Sequence, residues 1–121
     1  MRASAERLRV DPDRIGVMGS SAGGNLAAML ALTRPSDGLE PAGPYAEFSS
    51  GVKCAVDFYG AVDLINYHDV KMFAKTREEA PELYRKASPI TYARQDAPPI
   101  LIIHGTADDT VNVSQIGRAH V

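Results

Sequence analysis

Gly19-Ser20-Ser21-Ala22-Gly23 spells G-x-S-x-G and falls between a short apolar stretch ending at Met18 and a helical pattern starting near Ala22. A serine on such a strand-to-helix turn is held in strained backbone that lifts its hydroxyl above the sheet edge, where it can attack a carbonyl carbon. Strand and helix pass close together there, so positions two before and two after the serine should be nearly free of side chain. Gly19 and Gly23 meet that demand, and Gly24 extends it. Centring the motif on Ser20 fails, because Met18 would occupy a required glycine position. The helix start also aims free N–H groups at the site, which makes the Ala22 amide a candidate oxyanion donor. A phosphate loop reads less well: a Walker loop needs lysine after Gly24, where Asn25 stands, and G-x-G-x-x-G spacing is absent.

The second candidate is His104-Gly105-Thr106-Ala107-Asp108-Asp109, directly after the apolar run Ile100-Leu101-Ile102-Ile103. Catalytic groups of open α/β sheets gather at the carboxyl ends of strands, which puts Ser21 and Asp108 on one edge. An acid there can fix the tautomer of a histidine base and stabilise its charged form. On the residues alone, Asp108 and Asp109 serve equally well as turn formers or as a metal pair with His104. No histidine fits the base. His104 lies too close to Asp108 in the chain and reads as structural. His68 precedes the acid, among residues that face solvent or a lid. His120 follows Asp108 by 120 − 108 = 12 residues, too few for the intervening helix and strand.

Three strands are predicted to position these groups: Arg14–Met18, Val52–Tyr59 and Ile100–Ile103. Unbroken apolar runs of that length suit strands buried on both faces of a parallel sheet. Ser21–Thr33 reads as the helix after the first strand, with Leu26, Met29 and Leu30 at helical spacing and a stop at Arg34-Pro35. Strand–helix–strand alternation indicates an α/β layered fold. Residues 34–51 read as a surface loop and 60–99 as a longer excursion. Inside that excursion Pro81–Ala87 is predicted to be a short helix, with Thr76-x-x-Glu79 as a capping box upstream. Cys54 falls in the middle strand, where a small buried apolar role is expected.

Composition narrows the classes. With 45% hydrophobic and 23% charged residues and net charge −2, the chain is an ordinary globular one. No Lys/Arg run and no Trp argue against a nucleic-acid surface. The longest apolar run, Leu26–Leu32, is far short of the roughly 18 residues a membrane span needs. One cysteine allows no internal disulfide and no cysteine-rich zinc site. Met1–Leu8 lacks the apolar core of a secretory signal and reads as the tail of an amphipathic helix, so Met1 is expected to lie inside a longer protein. Residues 116–121, Ile-Gly-Arg-Ala-His-Val, look like a translated sequencing-adapter stretch, the alternative being an ordinary helix start in which Gly117 and Arg118 fall this way by chance. They are expected to be a read-through tail after a domain part spanning 1–115, which leaves His120 without functional weight.

The run Asp11–Ala27, with Asp57-Phe58-Tyr59-Gly60-Ala61-Val62-Asp63-Leu64, Ser88-Pro89-Ile90 and Pro99–Asp108, resembles bacterial α/β-hydrolases of the feruloyl and acetyl-xylan esterase-like (BD-FAE-like) type. The resemblance reaches to about Gln115. It implies a partial α/β-hydrolase fold, a three-layer α/β/α sandwich represented by its fifth to seventh strands. Ser21 would be the nucleophile, Asp108 the triad acid and the Ala22 N–H half of the oxyanion hole. The histidine and the early His-Gly-Gly loop would lie outside this chain. Tyr59–Leu64 and residues 65–97 would roof the acyl pocket, with Ser20, Tyr59 and Asp63 as substrate contacts. The implied substrate is a small-molecule or carbohydrate ester, acetylated or feruloylated, with no cofactor and no metal. A prolyl-oligopeptidase-type peptidase and a non-catalytic module of the same fold are the alternatives. The chain alone is expected to be inactive and poorly soluble, since three strands leave two sheet edges unpaired.

Overall fold

The computed structural model describes residues 1–40 and 42–117. A 3₁₀ turn, Arg2–Ser4, runs into α1 (Ala5–Leu8), which Arg9 ends in the left-handed region at φ 53°. Three parallel strands follow: β1 (Val17–Ser20), β2 (Ala55–Phe58) and β3 (Ile100–Ile103), in spatial order β1-β2-β3. The first strand begins and ends later than its apolar residues suggest. Arg14–Gly16 only leads into the ladder, whereas Gly19 and Ser20 pair with Asp57 and Phe58 right up to the turn. Ile100–Ile103 is a strand over its whole predicted length.

α2 (Ala22–Leu32) packs on β1 and β2. Its buried face is Gly24, Ala27, Ala28 and Ala31, whereas Leu26 is 62% exposed. Helical spacing finds the helix but picks out the wrong stripe. Small residues let the helix axis come close to the sheet, and the leucines at the margins turn outward. Register places Val17, Gly19, Ala55, Asp57, Ile100 and Ile102 toward α2, and Met18, Val56, Phe58, Leu101 and Ile103 on the other face. Among the described residues that outer face is uncovered, with Met18 at 68% and Leu101 at 57% exposure. Burial on both faces therefore fails for β1 and β3 among the described residues. Cys54 precedes Ala55 by one residue, falls on the outer side by alternation, and is exposed rather than buried.

Residues 34–40 and 42–50 are exposed, around a 3₁₀ turn at Pro35–Asp37, and Gly51 is half-buried. The long excursion folds on a small core of Ala61, Leu64, Tyr84 and Val111, with Phe73 set edge-on to Tyr84 at 4.9 Å. α3 (Pro81–Lys86) supplies Tyr84, and Thr76 and Glu79 exchange the reciprocal bonds of a capping box around the turn before it. α4 (Ser114–Gly117) carries Gln115, whose buried Oε1 accepts from the amides of Val62 and Asp63. Arg118–Val121, and with them His120, lie outside the described residues.

Candidate active site

Ser21 stands between β1 and α2 at φ 53°, ψ −120°, a conformation that L-residues avoid. Such a residue persists only where its surroundings over-determine it, at a cost of about 1–3 kcal/mol. Here its N–H donates to Phe58 O at 2.9 Å and its carbonyl accepts from Asn25 N at 3.1 Å. A Cβ on Gly19 would lie 2.1 Å from the carbonyl oxygen of Gly23, which fixes Gly19 as glycine. Gly23 itself has open space where a Cβ would go, contrary to the expected demand. Gly24 carries it instead: its Cβ would lie 2.1 Å from Asp57 Oδ1 and 3.0 Å from Gly60 Cα. Ala22 is the first residue of α2, so its N–H has no acceptor within the helix and sits at the positive end of the dipole.

Asn25 ties this turn to the excursion. Its Nδ2 donates to Ala61 O at 2.8 Å and Ala87 O at 3.2 Å. No local sequence pattern marks such a long-range clamp at Asn25.

Asp108 lies beyond β3. Its Oδ1 accepts from the amides of Thr110 and Val111, both at 2.9 Å, and those bonds hold the carboxyl below its ordinary value. Oδ2 lies 3.6 Å from His104 Nε2. That nitrogen donates to Val111 O at 2.6 Å and the His104 side chain is fully buried, in keeping with a structural histidine. Tyr67 Oη donates to Thr110 O, and burial followed by the nearby Asp108 charge pushes its phenol upward. Among the described residues no three His, Cys, Asp or Glu side chains are placed to hold a metal ion.

A cavity of about 570 Å³ opens beside Ser21 and Ala22. Its walls are mainly apolar, from Leu26, Ala61, Leu64, Val70, Phe73 and Val111. The segment 67–73 forms the roof, which places exposed His68 on the cavity wall, stacked on Tyr67 at 3.7 Å. Arg77 staples that segment: its backbone N–H and Nε donate to Asp69 Oδ1, and Nη1 donates to the carbonyls of Ile65 and Tyr67. The roof is narrower than expected. Pro89, Ile90, Ala93, Arg94 and Ala97 line a separate cavity of about 420 Å³ against α2 and β3.

The three expected substrate contacts do not reach the cavity wall. Ser20 alternates onto the outer face of β1. Tyr59, at φ 47°, is turned outward and its N–H is bound to Ile103 O. Asp63 is 3% exposed and its carboxylate holds Asn66 through the backbone N–H and Nδ2, which makes it a loop-structuring residue. Among the described residues no hydrogen bond joins a histidine to the Ser21 hydroxyl.

The BD-FAE family model matches residues 1–119. Esterase LipQ of Mycobacterium tuberculosis is 35% identical over 115 residues, which cover 87% of this chain and 27% of LipQ. A truncated carbohydrate esterase from gut microbiota superposes with a TM-score of 0.87 at 30% identity, covering 98% of this chain and 49% of that one. A butyrate-bound thermophilic esterase from the Planctomycetes species Thermogutta terrifontis gives a TM-score of 0.76 at 31% identity, over 96% and 43% of the two chains. These neighbours have the α/β-hydrolase fold, and the parallel sheet described above is part of it. The chain spans about a quarter to a third of the length of the curated esterases it matches.

Proposed function

The chain belongs to the BD-FAE family, and on that premise we propose that it carries the nucleophile and acid of a serine ester hydrolase. The observation that carries the reading is Ser21 at φ 53°, poised at the start of α2 beside an apolar cavity. Ser21 Oγ attacks the acyl carbon while a histidine from the remainder of the family domain takes its proton. Negative charge on the former carbonyl oxygen is met by the Ala22 N–H. The alcohol leaves with that proton, and water then attacks the acyl-enzyme and releases the acid. Asp108, anchored by two amides, keeps the carboxylate ionised and aimed so that the histidine stays in the productive tautomer.

The cavity suits the acyl group, since its lining offers apolar contact and few polar partners. The sugar side of an acetylated or feruloylated carbohydrate would lie outside it. The gut-microbiota carbohydrate esterase, similar over 98% of this chain, supports that substrate class.

The test is turnover of p-nitrophenyl acetate and butyrate by this sequence carried at family length. Ser21→Ala is expected to lose on the order of 10⁶-fold in kcat and Asp108→Asn on the order of 10⁴-fold. Unchanged turnover in Ser21→Ala refutes the assignment.

A further inference from the structure

Residues 70–75 bring Val70, Lys71, Met72 and Phe73 to the wall of the cavity beside Ser21, yet the segment has little to hold it there. Met72 is 81% exposed, and Lys71 is exposed as well. Its internal bonds are those of one tight turn. Phe73 N–H donates to Val70 O at 2.9 Å and Ala74 N–H donates to Lys71 O at 3.1 Å. Ala74 ends that turn at φ 52°, a backbone that a residue with a Cβ seldom adopts. The Arg77 side chain does not reach this far: its bonds go to Ile65, Tyr67 and Asp69.

Both ends of the turn meet one atom of another element. Tyr84, in α3, is fully buried, and its Oη accepts from Val70 N–H at 2.8 Å and donates to Lys75 O at 2.8 Å. Among the described residues these are the only hydrogen bonds that join residues 70–75 to the rest of the chain. A phenol can give one hydrogen and receive another, so a single group satisfies the donor at the entry and the acceptor at the exit. The ring below packs against Phe73, edge-on at 4.9 Å. Tyr84 is anchored independently of its hydroxyl. Ser88 Oγ donates to Tyr84 O at 2.7 Å and accepts from Leu64 N–H at 2.9 Å, which ties α3 to another residue of the cavity wall. Tyr84 itself does not line the cavity, so whatever it does there passes through the turn.

We propose that Tyr84 is a positioning residue for acyl-group selection: its hydroxyl clasps residues 70–75 so that Val70, Met72 and Phe73 form a fixed apolar wall for aliphatic acyl chains longer than acetyl. An acetyl group on Ser21 fills only the part of the roughly 570 Å³ cavity next to the elbow, whereas a butyryl chain extends toward the roof. Without the clasp, the acyl chain itself must order the turn, and that ordering is charged against binding. Contacts to the end of an acyl chain are alike in the ground and transition states, so their loss raises KM and spares kcat. The inference rests on the reading of Ser21 as nucleophile and of this cavity as the acyl pocket.

The experiment is Tyr84→Phe, which keeps the ring and removes the hydroxyl, read by turnover at family length and by amide hydrogen exchange in the chain itself. KM for p-nitrophenyl butyrate is expected to rise about tenfold and kcat to stay within about twofold, while KM for p-nitrophenyl acetate does not move. Exchange at the Val70, Phe73 and Ala74 amides should speed up and the strand amides should keep their protection. An unmoved butyrate KM overturns the proposal. So does an equal rise for both esters, a fall in kcat with both KM values unmoved, or unchanged exchange at Val70. Where Tyr84→Phe does not fold, the parent decides. A Val70 amide that exchanges at the rate of an unstructured peptide overturns the clasp, and a protected one, together with a lower KM for butyrate than for acetate, supports it. Turnover that survives Ser21→Ala sinks the nucleophile without altering exchange at Val70, so the two readings fail separately.

Discussion

Ser21 trades backbone comfort for reach. Its hydroxyl is available because φ is 53°, and a residue without Cβ would accept that backbone freely. Ser21→Gly is therefore expected to stabilise the chain by about 1 kcal/mol relative to Ser21→Ala, read as a higher urea midpoint. Equal midpoints would show that the turn is relaxed. The glycines separate in the same way. Gly24→Ala pushes a methyl into Asp57 and Gly60 and should cost about 3 kcal/mol or more, whereas Gly23→Ala fills open space in a helix and should gain up to about 1 kcal/mol. The motif alone would weight them the other way: its letters mark Gly23, while the contact that excludes a side chain comes from β2, 33 residues downstream of Gly24. Asp108 supplies a pH dependence. Its folded carboxyl is held below the ordinary value of 3.8, so its contribution is present above that value and is lost as pH falls through the lowered one. The stability gap between parent and Asp108→Asn should be full at neutral pH and close under acid. A gap that widens on acidification would contradict the two amide bonds as its cause.

At the scale of elements, legibility tracks how local the cause is. Ile100–Ile103 is apolar at every position, so the strand is plain in the sequence. β1 is displaced because its end is fixed by pairing with β2 and by the elbow, neither of which Arg14–Met18 reveals. In α2 the leucines dominate any periodicity, yet the sheet accepts only glycine and alanine. Ala28→Leu should accordingly cost about 1–3 kcal/mol through overpacking, despite a gain in hydrophobicity. The roof depends on Arg77, whose four bonds to Ile65, Tyr67 and Asp69 close a segment with little core of its own. Arg77→Ala is expected to speed amide exchange across residues 65–73 and spare the strands. Uniform protection loss across the sheet would mean that Arg77 supports the whole fold instead.

For the molecule as a whole, the sheet is two-faced in sequence and one-faced among the described residues. Leu101 and Ile103 have the composition of buried positions, and so does Met18, yet all three meet solvent. Contiguous apolar surface beside unpaired strand edges favours association between copies. Sedimentation should show mass rising with protein concentration, and Met18→Lys with Leu101→Lys should restore a monomer without loss of the parallel sheet. A parent that stays monomeric at high concentration would refute this.

Cys54 gives that outer face a built-in reporter. It is the one thiol in the sequence, it is exposed, and it lies over Gly16 on the side that carries Met18 and Val56. A disulfide reagent added to the unmodified protein would therefore time how often the face is open. Fast modification would mark bare sheet, and slow modification would mark sheet occluded by another polypeptide, with no label engineered in.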